Sequence, residues 1–105
     1  MEIKDFEEKF IYKIKIKIDE NDYILLREPT VLEMKDFSAT DEEKNINILR
    51  DLFPKCIIDH TFTKNGEKLN IDELIKVLKQ SGLLYNEIIG SWFSQIPFQK
   101  RLQPK

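Results

Sequence analysis

Residues 10–28 read Phe10-Ile-Tyr-Lys-Ile-Lys-Ile-Lys-Ile18, then Asp19-Glu-Asn-Asp22, then Tyr23-Ile-Leu-Leu-Arg-Glu28. In the first segment Tyr12, Ile14, Ile16 and Ile18 alternate with Lys13, Lys15 and Lys17. A two-residue period of this kind marks a strand with one buried and one wet face. The Asp19–Asp22 cluster supplies turn formers, and the second apolar run stops before Pro29, so residues 10–28 are expected to form a β-hairpin. Two strands alone are marginal in water. The face carrying Ile14, Ile16, Ile24 and Leu26 must therefore be covered, by helices or by another copy of the sheet.

Helices are expected beyond Pro29. Thr30 with Glu33, Thr40 with Glu43, and Asn70 with Glu73 each place a cap residue three positions before a carboxylate. That spacing lets the two side chains satisfy free amides reciprocally. A short helix is expected over about residues 31–37, broken by Ser38-Ala39. A second, with Ile46, Leu49 and Phe53 on one stripe, should run over 41–53. Pro54 either kinks it or opens a new helix through Cys56, Ile57 and His60. Asn65-Gly66 reads as a surface turn with positive φ. A helix follows over 71–81, with Gly82 placed to close it in a left-handed conformation. A last helix over about 83–93 carries Leu84, Ile88 and Trp92 on one side and Tyr85, Ile89 and Phe93 beside them. The expected fold class is α+β, an N-terminal β-hairpin packed against a bundle of about four short helices. Residues 1–98 should form one domain, with 99–105 a frayed tail.

Composition bounds the function. The chain has 105 residues, 41% of them hydrophobic and 34% charged, which suits one folded domain with a modest core. A net charge of -2 argues against nucleic acid or an anionic membrane as the main partner, since both demand a basic footprint. One cysteine permits no internal disulfide, and no uncharged run approaches the ~20 residues of a membrane span, so an intracellular protein is expected.

Little in the sequence points to catalysis. Cys56 and His60 are four apart, a helical spacing that would place both on one face. Zinc needs three or four ligands and the chain has no second cysteine or histidine, so no metal or other cofactor is expected. A Cys–His nucleophile pair would need an electropositive pocket, which Ile57, Ile58 and Phe62 do not suggest. Glu42, Glu43, Asp72 and Glu73 sit at helix starts, where the helix dipole explains them. The single glycines Gly66, Gly82 and Gly90 build no phosphate loop. The lysine row of the first strand can either contact phosphates and acidic segments or keep an exposed sheet from pairing wrongly, and the acidic total favours the second.

The stretch 83–98 is richer. Nine of its sixteen positions are large and apolar. One helix of a small domain hides only part of its circumference, so Leu84, Ile88, Trp92, Phe93, Ile96 and Phe98 are the candidate partner-binding residues.

Taken together, the lysine-rich strand, Leu26-Arg-Glu-Pro-Thr30, Glu33 and Phe37, an apolar helix ending near residues 57–60, the Gly66 loop and a terminal helix with Trp92 resemble the small tail assembly chaperones of long-tailed phages and prophages. The likeness covers residues 10–98, and its most specific piece is Leu-Arg-Glu-Pro-Thr. The resemblance implies a non-enzymatic protein of the bacterial cytoplasm that coats the helical tape measure protein before the tail tube forms. It also implies absence from the finished virion, and in some members a longer frameshifted form. Self-association is left open. Competing classes are a structural or ring-forming tail subunit, a small nucleic-acid-binding module using the lysines, and, last, an enzyme using Cys56 and His60.

Overall fold

The hairpin forms where the alternation places it. In the computed structural model, which describes residues 1–96, β1 (Lys13–Lys17) pairs antiparallel with β2 (Tyr23–Arg27), Ile14 opposite Leu26 and Ile16 opposite Ile24. These four side chains enter the core, and the three lysines stay exposed. The turn is fastened by Asp19, whose Oδ1 accepts the amides of Asn21 and Asp22 at 3.0 and 2.8 Å. Those same bonds hold the Asp19 carboxyl below its usual range.

A third strand was not expected. The sequence after Cys56 turns extended as β3 (Ile57–His60) and pairs antiparallel with β2, giving the order β1-β2-β3. A bulge at Leu25/Leu26 lets Ile57 and His60 both point inward while Ile58 is left outside. The preceding helix α2 (Glu42–Cys56) carries Pro54 internally and stops two residues later, so Cys56 and His60 share no helical face. β-Branched Ile57-Ile58 and an open pairing edge on β2 win over helix continuation here.

Further corrections concern helix ends. The 31–37 segment is a run of overlapping turns rather than a helix, with the amides of Met34, Lys35 and Phe37 bonded to the carbonyls of Val31, Leu32 and Met34. Its reciprocal cap is nonetheless built, with Glu33 N–H donating to Thr30 Oγ1 at 3.2 Å and Thr30 N–H to Glu33 Oε1 at 2.8 Å. Asp41, not Thr40, caps α2, accepting from Lys44 N–H at 3.0 Å. On α2 the core stripe is Asn45, Leu49, Leu52, Phe53 and Cys56, and Ile46 turns outward. Asn70 and Glu73 form the expected capping box of α3 (Ile71–Leu78). Gly82 does not close that helix; it lacks a positive φ and is the first residue of α4 (Gly82–Gln95), behind the cap Ser81. The Asn65-Gly66 turn does take positive φ, 54° and 82°, and joins the two-residue strands β4 (Thr63–Lys64) and β5 (Glu67–Lys68). Before β1 the chain forms a helix that was not anticipated, α1 (Ile3–Phe10), which buries none of its residues.

The core lies between the inner face of the sheet and the helices α2, α3 and α4. The α+β class and the N-terminal hairpin packed on short helices therefore describe the fold. Four helices are present among the described residues, but one of them is the unexpected α1, and the expected 31–37 helix is absent. The expected tail, residues 99–105, lies outside the described residues.

Candidate interaction surface

The six C-terminal candidates separate sharply. Tyr85, Ile88, Ile89 and Trp92 recur at three- and four-residue steps and point into the core, because α4 is wedged between α2 and β1 and is covered on both flanks. Trp92 is fully buried, lies edge-on to Phe53 with ring centroids 5.9 Å apart, and donates Nε1–H to the Arg27 carbonyl at 3.3 Å. Ile96 is buried as well. Ile88, Trp92 and Ile96 thus fill the protein's own interior. Leu84 and Phe93 are half-buried and pack against the core, and Phe98 lies outside the described residues.

Cys56 and His60 are structural. Cys56 is completely enclosed, and burial pushes its thiol up to about 11, the reverse of an activated thiolate. The His60 ring bridges two segments: its Nδ1 accepts the Phe62 N–H at 3.0 Å, so Nε2 carries the proton and donates to the Leu69 carbonyl at 2.9 Å. Both nitrogens are thereby committed to holding β3 against the chain leading into α3. Among the described residues, no group of three or more His, Cys, Asp or Glu could hold a metal ion.

The Leu-Arg-Glu-Pro-Thr stretch forms a corner. Leu26 is core and Pro29 is buried, while Thr30 caps the following turn. Arg27 binds Glu33 in bidentate fashion at 2.8 and 3.1 Å and donates to the carbonyls of Glu28 and Lys55 at 3.0 and 3.3 Å. The Arg27 guanidinium holds the Glu33 carboxyl down at about 2. With Trp92 on its carbonyl, Arg27 ties β2, the 31–36 turn, the end of α2 and α4 together.

Large apolar side chains are most exposed in three places among the described residues. On α1, Ile3 and Phe6 are 77% and 51% exposed. In the turn after Pro29, Val31 and Leu32 reach 90% and 75%, and Leu83 at the start of α4 reaches 82%. A groove of about 470 Å³ runs between α1 and the outer face of the sheet, lined by Glu7, Ile11, Lys13, Leu25, Arg27 and Ile58. Beside it Lys15 stacks over the Tyr23 ring at 4.2 Å, and Asp59 is paired with Lys68. The α1 stripe was legible as Ile3-x-x-Phe6-x-x-x-Phe10, a helical spacing among charged residues. No helix among the described residues is long and apolar enough to cross a membrane. No family model matches this chain, and no curated protein or solved structure shows a significant match to it.

Proposed function

We propose that this protein works by binding another protein, as a tail assembly chaperone that shields apolar helical segments of a tape measure protein before the tail tube polymerises. The observation that carries this reading is the outward placement of Val31, Leu32 and Leu83, large apolar residues whose exposure contributes nothing to the monomer's core. An extended helical client presents apolar stripes at regular intervals, and small hydrophobic contacts repeated along it add up through many copies. Individually weak contacts also release easily when the tube replaces the chaperone. The resemblance carried by residues 10–98 supplies the identity of the client. Within this reading the protein acts in the bacterial cytoplasm, performs no chemical step and is left out of the finished particle.

Co-expression tests it directly. A tape measure protein, if one is encoded beside this chain, should become more soluble in its presence. The combined V31S, L32S and L83S variant should lose that effect while keeping its thermal midpoint, because these side chains stand in solvent. No gain in solubility with the unaltered protein would refute the proposal. Mass spectrometry of purified particles separates the chaperone from a tail subunit, which would be retained in them.

A further inference from the structure

The stripe of α1 lies on the side that faces the chain's own sheet. Glu7 and Ile11, four residues apart, both line the groove of about 470 Å³, together with Lys13 of β1, Leu25 of β2 and Ile58 of β3. Ile3 stands one turn before Glu7 on that same side, and Phe6 and Phe10 flank the row with their rings 5.2 Å apart. Positions 3, 6, 7, 10 and 11 thus make one stripe, apolar except for Glu7, while Lys4, Asp5, Glu8 and Lys9 occupy the opposite side of the helix.

This stripe is aimed at the groove without filling it. Ile3 and Phe6 remain 77% and 51% exposed, Ile58 is exposed across from them, and α1 buries none of its residues. A helix of eight residues without a side-chain cap is well short of the ~12–15 residues that hold a helix in water, so it needs a surface to lie on. Its attachment allows one. Tyr12 is fixed to the body by two hydrogen bonds, its N–H donating to Glu28 Oε1 at 2.9 Å and its carbonyl accepting the Glu28 N–H at 2.8 Å. Only Ile11, with extended backbone, separates that anchor from the helix.

We infer that α1 is a strap hinged at Ile11, which swings onto the outer face of its own sheet and closes this groove. In the closed form Ile3 and Phe6 lie on Ile58 and Leu25, and Glu7 meets Lys13. The charges suit that pairing: among the described residues neither Glu7 nor Lys13 is in an ion pair, whereas Arg27, the other cation of the groove, is already held by Glu33. In the open form the same residues make one apolar cleft with a charged rim. A rotation at one element-terminal residue is enough to pass between the two. This inference stands apart from the chaperone proposal, since it is read on the isolated protein with no client present.

Magnetic resonance on the dilute protein tests it. Nuclear Overhauser effects should connect Ile3 and Phe6 with the side chains of Leu25 and Ile58, and isotope filtering of a mixture of labelled and unlabelled protein should show that they arise within one chain. Hydrogen exchange at amides 7–10 reads how often the strap opens. E7K and K13E should each speed that exchange by roughly two- to fivefold, the ratio an exposed ion pair supplies, and the E7K/K13E variant should restore the original rate. I58S removes the landing site and should also speed it. Unchanged exchange at the α4 amides shows that each variant is folded. Absent contacts, contacts only between copies, single variants without effect, or a double variant that stays fast would each overturn the inference.

Discussion

The two end helices carry similar apolar stripes and meet opposite fates. On α4 the residues Tyr85, Ile88, Ile89 and Trp92 vanish into the core, whereas on α1 Ile3, Phe6 and Phe10 remain at the surface. Helical spacing of apolar residues is present in both, although α4 is apolar around far more of its circumference than the charge-rich α1. What differs is packing: α4 follows α3 directly and lies against α2 and β1, while α1 precedes an edge strand and buries none of its residues. An amphipathic stripe therefore marks a face able to pack, and only the tertiary structure decides whether the chain itself covers it.

The strongest challenge to this contrast is W92A. It should cost about 3–5 kcal/mol, since it empties a fully buried site and removes the hydrogen bond to the Arg27 carbonyl. Urea unfolding would read the loss as a lower midpoint at unchanged slope. R27A comes next, at roughly 2–3 kcal/mol, because it leaves the Glu33 carboxylate unpaired and frees the carbonyl of Lys55.

The Arg27–Glu33 pair also has a pH signature. Glu33 has its folded-state pKa depressed to about 2 from 4.5. The stability it contributes is therefore present above about 4.5 and is lost as pH falls toward 2. Both side chains keep about a fifth to a quarter of their exposure, so screening limits the contribution to about 1–2 kcal/mol. Unfolding free energy measured between pH 5 and 2 should fall less steeply in E33Q than in the unaltered protein. The smallest effect belongs to I3S, which should change monomer stability by less than about 0.5 kcal/mol, read by thermal melting at low concentration. If I3S matched W92A, the two helices would be energetically alike and the contrast would fail.

Much of the fold was legible because its signals are local. The Lys-Ile alternation specified β1 and its inward face, Asn65-Gly66 specified a turn, and Asn70 with Glu73 specified the start of α3. β3 was not legible: Ile57-Ile58 suits either a helix or a strand, and only the free edge of β2 decides between them. That Ile88, Trp92 and Ile96 would be enclosed was not legible for a related reason. Counting apolar residues in 83–98 measured how much area α4 offers, but nothing in that count reveals that α2 and β1 meet it from two sides.

The chain by itself determined that there would be a hairpin with one basic face, capped helices on its apolar side, and an apolar stretch near its C-terminal end. Those properties depend on neighbours three or four residues away, within reach of a single turn or strand pair. Tertiary structure alone decided which end is enclosed and which stands out, and made Arg27 the tie between β2, the turn and both long helices. The reason is physical: burial is a property of the packed assembly, set by what arrives from distant parts of the chain, and no local pattern contains it.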